Sequence, residues 1–298
     1  MKVFVSGLVN IETTVVVRSF PIPYYPIDYP FFGINSQVSG VGCNAAKALT
    51  ALGDTVELVS FTGNDEEALR IERDLERHGI SGKGLRKTLR QTPVSAVLFT
   101  ENGKRQVYCD LKDIQDQSLS PEDCSGWRDG AAAVLCNINF NRELIKAARR
   151  AGVLTATDVH VLSEIEDSYN RDFMENADIL FLSDEKLPEA PEEFILKLAK
   201  RYQNRLIVIG MGEKGALLWE EGAKCPVTIP AYKPEKVVNT VGAGDALFAS
   251  FLHYYLKGLE AKEALGRAVI FAGIKVGFNG ASVGFSTEEE IESVRDKK

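Results

Sequence analysis

The stretch Asn239-Thr240-Val241-Gly242-Ala243-Gly244-Asp245 runs straight into the apolar segment Ala246-Leu247-Phe248-Ala249-Ser250-Phe251-Leu252. The apolar run predicts a buried helix over 243–257, and the glycines mark its entry. Gly242 and Gly244 carry no side chain where the backbone turns into that helix. The first-turn N–H groups, which have no intrahelical partner, are then left open, an arrangement that binds phosphate oxygens. A carboxylate at the helix start, Asp245, would lie beside such an anion, where it could accept a proton from a hydroxyl. The bland alternative is a tight turn in which Asp245 is favoured only electrostatically near a helix N-terminus. A lone GxGD would support that alternative; the longer stretch, followed at once by an apolar helix, favours the chemical reading.

Upstream of this turn the chain alternates strand and helix. Apolar runs at 3–9, 56–62, 133–137, 153–158, 179–182 and 206–209 read as strands, with helices expected over 42–52, 65–78, 142–151 and 192–202. Continuously apolar strands are those covered by helices on both faces of a mostly parallel sheet. After the turn the chain reads as helical over 243–257 and 261–278, with a charged tail from Thr287. Two stretches do not fit this layout. Residues 13–17 are extended and lead into the proline-rich Phe20-Pro21-Ile22-Pro23-Tyr24-Tyr25-Pro26, while 94–100 and 105–111 read as a hairpin about Glu101-Asn102-Gly103-Lys104. Together they suggest a small β-subdomain, or decoration of a sheet edge. The expected fold is a doubly wound, mostly parallel α/β sheet with a small β-sheet lid. Its main domain comprises 1–11, 39–92 and 113–298, and its discontinuous lid 12–38 and 93–112.

The 298 residues carry a formal net charge of -7, which disfavours sequence-blind binding to nucleic acid or an anionic membrane. Hydrophobic residues make up 45% and charged residues 26%, an ordinary balance for a globular enzyme. Five scattered cysteines without CxxC spacing argue against a disulfide framework or a structural zinc site, and for a reducing, cytoplasmic setting. The opening run is too short for a signal peptide, and no run of about 18 apolar residues suggests a membrane span. The three histidines, His78, His160 and His253, lack metal-ligand spacing and read as structural or exposed. Asp158, at the end of an apolar strand, is either a ligand-facing carboxylate or a cap.

A second Gly-rich helix start, Ser39-Gly40-Val41-Gly42-Cys43-Asn44-Ala45-Ala46, would let a ligand approach the backbone. Asn44 offers it both a donor and an acceptor, although alone it reads equally as a cap. The segment Gly210-Met211-Gly212-Glu213-Lys214-Gly215 copies a dinucleotide fingerprint, but Ala216-Leu217-Leu218-Trp219 behind it reads as strand. A Rossmann reading fails that context test, and no GxxxxGK[ST] loop exists.

The two Gly-rich helix starts together resemble the signatures of the PfkB, or ribokinase-like, carbohydrate and nucleoside kinases. Thr240, Gly242, Ala243, Gly244 and Asp245 match one signature, and Gly40, Asn44 and Ala46 the other. Element order, the split lid and the late Gly277-Phe278-Asn279-Gly280-Ala281 extend the resemblance along the whole chain. It implies Asp245 as general base and the backbone of Gly242, Ala243 and Gly244 as an anion hole for the phosphoryl group of ATP. It also implies a sugar pocket at Asn10, Glu12, Gly40, Asn44 and Asp245. Nucleotide contacts are implied at Gly210, Gly212, Gly215, Thr240, Gly242, Gly244, Asn279 and Gly280.

The departures from the pattern are specific. Asn239 and Val241 stand where relatives carry Asp and Thr near a monovalent-cation site, which speaks against activation by K⁺. Glu12 replaces an Asp, and Ser39 the first signature Gly. The Asn-x-x-Glu motif tied to Mg²⁺ falls on Ser183-Asp184-Glu185-Lys186, leaving Asp184 and Glu185 as the nearest carboxylates. A nucleoside acceptor, or a catalytically weak sugar- or nucleotide-binding sensor, are the rival readings. A phosphosugar acceptor is less favoured because no Lys/Arg cluster marks a second phosphate pocket; Arg105 is its main candidate. The aromatic and proline-rich 20–32, nearly devoid of basic residues, is expected to pack lid against lid in a homodimer rather than to stack bases.

Overall fold

The computed structural model describes residues 1–100 and 103–296. The chain runs β1 (Lys2–Ser6), β2 (Asn10–Val16), β3 (Ile34–Ser39), α1 (Val41–Ala51), β4 (Thr55–Thr62), α2 (Glu66–Arg77), β5 (Leu85–Lys87), β6 (Val94–Phe99) and β7 (Arg105–Asp110). It continues through α3 (Gly126–Asp129), β8 (Ala132–Leu135), α4 (Arg142–Arg150), β9 (Thr155–Val161), α5 (Arg171–Asn176), β10 (Ile179–Ser183), α6 (Pro191–Tyr202) and β11 (Leu206–Gly210). The last elements are β12 (Ala216–Glu220), β13 (Val227–Ile229), α7 (Ala243–Leu256), α8 (Ala261–Lys275) and α9 (Glu288–Arg295).

The main sheet has the order β13-β12-β11-β10-β9-β8-β1-β4-β5 and is parallel except for its β11-β12-β13 edge. Helices cover both faces, so β8 and the first four residues of β10 are buried throughout. Side-chain alternation sends Val3 and Val5 of β1 into one core, with Leu49, Phe248, Phe271 and Ile291 of α1, α7, α8 and α9. Phe4 enters the other core, with Trp127, Leu144, Phe173 and Phe194 of α3 to α6. No helix among the described residues is long and apolar enough to cross a membrane.

A separate sheet of order β3-β2-β6-β7 forms the lid, with β2 and β6 parallel and the outer pairs antiparallel. The expected hairpin is β6-β7; Glu101 and Asn102 of its expected Asn-Gly turn lie outside the described residues. β7 is exposed along its length, as are Tyr24, Tyr29, Phe31 and Phe32 in the loop between β2 and β3. Three strands were not expected from the sequence: β3, which reads Ile-Asn-Ser-Gln-Val-Ser, and the three-residue β5 and β13. The strand expected over 3–9 ends at Ser6 as β1 of the main sheet, and the extended stretch expected over 13–17 belongs to β2 of the lid, which begins already at Asn10. The helix expected over 261–278 ends at Lys275, ahead of Gly277.

The fit of α1 against β1 depends on a backbone-to-backbone approach. A Cβ on Gly42 would lie 2.7 Å from the carbonyl carbon and 2.8 Å from the Cα of Gly7, and neither atom belongs to a movable side chain. Gly266, within α8, has no atom within 4 Å of its Cβ position. Gly42→Ala is therefore expected to lower the unfolding free energy by about 1–3 kcal/mol through overpacking. Gly266→Ala should raise it by about 1 kcal/mol through helix propensity. Denaturant unfolding midpoints check both, and a neutral Gly42→Ala would contradict the packing account.

Candidate active site

The site forms outside the carboxyl ends of the parallel strands, next to β1, where the chain leaves β4 on one side and β8 is added on the other. Open α/β sheets bind ligands at such a switch point. The turn after β1 meets the start of α1 here. The Leu8 carbonyl accepts from the amides of Gly42 (3.0 Å) and Cys43 (3.3 Å), and the Gly40 carbonyl from Asn44 N (2.8 Å). The glycines of this helix start thus admit the protein's own Gly7 and Leu8 backbone. With its backbone fixed in this way, Asn44 projects its side chain across to α7. Its Nδ2 donates to Asp245 Oδ2 at 2.7 Å.

At the start of α7, Gly242 is left-handed (φ 78°), and a Cβ there would run into the Ala281 carbonyl. Ala243 N donates to the Thr240 carbonyl (3.2 Å) and Ala246 N to the Gly242 carbonyl (3.0 Å). The amides of Gly242, Gly244 and Asp245 have no acceptor among the described residues. Gly244 is exposed, and the space a Cβ would fill there is open. Open amides at a helix N-terminus beside an empty cradle fit an anionic phosphoryl group. The turn is anchored from behind: Val238 N (2.8 Å) and Asn239 N (3.1 Å) donate to the Val276 carbonyl. Asn239 accepts from Val241 N (2.9 Å) through Oδ1 and donates to Asn279 Oδ1 (3.1 Å) through Nδ2.

From Asp245 and Asn44 a line of polar groups leads into the lid. Ser39 Oγ lies 3.3 Å from both Asn44 Oδ1 and Glu12 Oε2, and Gln37 Nε2 donates to Glu12 Oε1 at 3.0 Å. Ser39 has one proton, so it serves one of these acceptors at a time. Asn10 donates to Ser95 Oγ (3.0 Å), while its Oδ1 is buried without a partner, an acceptor open to a ligand hydroxyl.

The end of β9 supplies what the sequence reading missed. His160, expected to be structural or exposed, adopts a left-handed backbone (φ 62°) that turns it beside Asp158 and Asp245. The potential ligand atoms of these three residues lie within 4.8 Å of one another. His160 N donates to Asp158 Oδ1 (2.8 Å), and its Nδ1 is 3.5 Å from Asp158 Oδ2. Burial works against charge on the imidazole, but Asp158 and Asp245 outweigh it and push its pKa up to about 9. Burial would raise the Asp158 carboxyl, yet His160 holds it below the ordinary aspartate range. For Asp245, burial raises the pKa and Asp158 adds to the effect; His160, Asn44 and Lys275 act in the opposite direction.

The remaining expected residues lie around this centre. Gly210 ends β11, and a Cβ on it would be 3.6 Å from Leu247 of α7. Gly212 opens a short 3-10 turn, Gly215 closes it, and antiparallel β12 follows rather than a helix. Thr240 Oγ1 accepts from Arg105 of the lid (3.0 Å), whose other amino group pairs with Glu185 at 3.6 Å. Asp184 is half-buried after β10 and Glu185 is exposed; neither belongs to the Asp158–His160–Asp245 group. Gly280 is buried against Gln37, and Asn279 holds Asn239.

A doubly wound sheet, a lid and an acid beside open helix amides define a phosphotransferase class. The family model for pfkB family carbohydrate kinases matches residues 2–288, and the chain belongs to that family. It is 24% identical over 306 aligned residues to a deoxyribokinase of Salmonella typhi, covering 98% of this chain and 97% of the relative. It is 25% identical over 286 aligned residues to an ATP-dependent ribose-1-phosphate kinase of Halopiger xanaduensis, covering 94% of each. The solved structure of a microbiome-derived acarbose kinase superposes with a TM-score of 0.86 at 25% identity, covering 98% of this chain and 97% of that one. The protein is thus a phosphotransferase that acts on an alcohol group.

The His160–Asp158 pair predicts a pH signature. The folded pKa of about 9 lies above the ordinary 6.5, so the pair's stabilisation is complete below about pH 6.5 and is lost as pH rises through 9. NMR titration should give His160 a midpoint well above 6.5, falling in Asp158→Asn. An unshifted wild-type midpoint would refute the assignment.

Proposed function

We propose that this chain transfers the γ-phosphate of ATP to a hydroxyl of a small sugar or sugar-like molecule, with Asp245 as general base. The observation that carries this reading is the pairing of an Asn44-held, buried carboxylate with the open amides of Gly242 and Gly244 on one helix start. Asp245 takes the acceptor's proton as its oxygen bonds to the γ-phosphorus, and the bond to the departing ADP oxygen breaks. The amides of the 242–244 turn stabilise the charge on the transferring group.

Asn10, Glu12, Gly40 and Asn44 form the acceptor pocket in this reading. The unpartnered Asn10 Oδ1 and the Glu12 carboxylate suit a polyhydroxylated molecule. Gly210, Gly212, Gly215, Thr240, Asn279 and Gly280 line the nucleotide. Mg²⁺, when bound with ATP, neutralises phosphate charge. We assign Asp184 and Glu185 to its neighbourhood, hard oxygen donors at the strand end beside Gly210. Arg105, the lid cation considered for an acceptor phosphate, is engaged by Thr240 and Glu185, which favours an unphosphorylated acceptor.

Residues 12–38 and 93–112 act as a lid that excludes water, which would otherwise accept the phosphate. The exposed aromatics of 20–32 pack against a second lid in a homodimer, and the protein works in the cytoplasm.

ADP release with ATP·Mg²⁺ across pentoses, hexoses, polyols, phosphosugars and nucleosides tests the reading. Turnover is expected with an unphosphorylated sugar, and Asp245→Ala should reduce it by about 10²–10⁴-fold or more while the protein remains folded. Preferred turnover of a nucleoside would move the assignment to that acceptor class. Ligand binding without ADP release would make the protein a sensor, and an unfolded Asp245→Ala would mark a structural aspartate.

A further inference from the structure

Lys275, the last residue of α8, is fully buried although it carries an ammonium group. Nothing in the reading above uses it. Its Nζ donates to the carbonyl oxygen of Val241. That carbonyl belongs to the same peptide group as the amide of Gly242, one of the open donors at the start of α7. A trans peptide is planar, with its N–H antiparallel to its C=O. A cation held on the oxygen side therefore fixes the plane and directs the Gly242 N–H to the opposite side. It also draws electron density toward the oxygen, which makes the N–H a stronger donor.

We propose that Lys275 is a built-in cation that positions and polarises the Val241–Gly242 peptide, so that the Gly242 amide serves the transferring phosphoryl group. The proposal rests on the kinase reading and makes Lys275 a positioning residue, since it acts through the peptide. No redox or covalent step is involved. Because this cation is tethered to the chain, turnover should not depend on added K⁺.

The surroundings keep the cation charged, within limits. Burial lowers the Lys275 pKa to about 8, while Asp245 of α7 and Glu12 of β2 support the charge and Arg105 of β7 opposes it. The charged form is thus lost as pH rises through about 8.

The test is steady-state ADP release at matched ionic strength, with potassium, ammonium or tetramethylammonium chloride, for wild type, Lys275→Met and Lys275→Ala. Wild-type kcat is expected to be the same in all three salts and to fall above about pH 8. Lys275→Met should lower kcat by about 10- to 100-fold with little change in acceptor KM, less than the roughly 10²–10³ for removing a donor outright. Lys275→Ala, which leaves room, should recover at least about tenfold in potassium or ammonium but not in bulky tetramethylammonium, and should lose the fall above pH 8. A folded Lys275→Met with wild-type kcat overturns the proposal. So does a folded Lys275→Ala that no small cation rescues, which would make the lysine merely structural. If both variants fail to fold, Lys275→Arg must retain the salt-independent kcat; a folded Lys275→Arg that has lost it overturns the proposal. A wild type inactive with every acceptor fails the kinase reading itself, and this proposal with it.

Discussion

Asp245 is only 9% exposed at the first turn of α7, and much of the architecture follows from keeping its carboxylate there. An isolated carboxylate removed from water costs several kcal/mol unless hydrogen bonds and opposite charges replace its solvation. Here the replacements come from three separate elements. α1 supplies Asn44 at 2.7 Å, β9 supplies His160, and α8 supplies Lys275. Each imposes its own local requirement. Asn44 reaches Asp245 only because Gly42 lets α1 close on the backbone of Gly7. His160 reaches it through a left-handed backbone, and Lys275 through burial of its whole side chain.

The same aspartate links the two sheets. Glu12 and Ser39 come from lid strands, yet Gln37, Glu12, Ser39 and Asn44 form a line of polar neighbours to Asp245, with the one Ser39 proton shared between two acceptors. On the opposite side, Arg105 of β7 reaches Thr240, next to the 242–244 turn. The lid is therefore tied to the main domain through the groups assigned to acceptor and nucleotide. A ligand that inserts between them replaces hydrogen bonds already present rather than entering a bare apolar cleft. Ser39 Oγ, with one proton between two acceptors, and the unpartnered Asn10 Oδ1 are where that exchange is least costly.

The sequence carried the parts of this design that depend on local rules. Strands buried on both faces are continuously apolar, and Gly242-Ala243-Gly244 before an apolar run announces a helix start with open amides. The lid was legible through β6 and β7, but β3 was hidden because Asn35, Ser36 and Gln37 make it look like a loop. β5 and β13 are too short to show a period. His160 was dismissed for lack of ligand spacing, a test that fails when the partner lies on a distant element such as α7. Lys275 reads as an ordinary basic residue in a last helical turn, where it suits the helix dipole. Nothing local singles it out, since Lys262, Glu263 and Arg267 of the same helix stay outside the core.

In the proposed role as base, Asp245 depends on a balance rather than on a single partner. Were burial alone to act, the carboxyl would stay protonated and could accept nothing. Were His160, Lys275 and Asn44 to act alone, the carboxylate would hold its charge so firmly that taking up a proton would be unfavourable. Asp158 acts on both sides of this balance: it raises Asp245 directly, and it keeps His160 charged, which sustains the neighbour that lowers Asp245. A base works best when its pKa approaches the pH at which it operates, because the ionised form and the driving force for proton uptake are then both available. In that proposed role the second aspartate, distant in sequence and without a proposed contact to substrate, helps to set the basicity of the first.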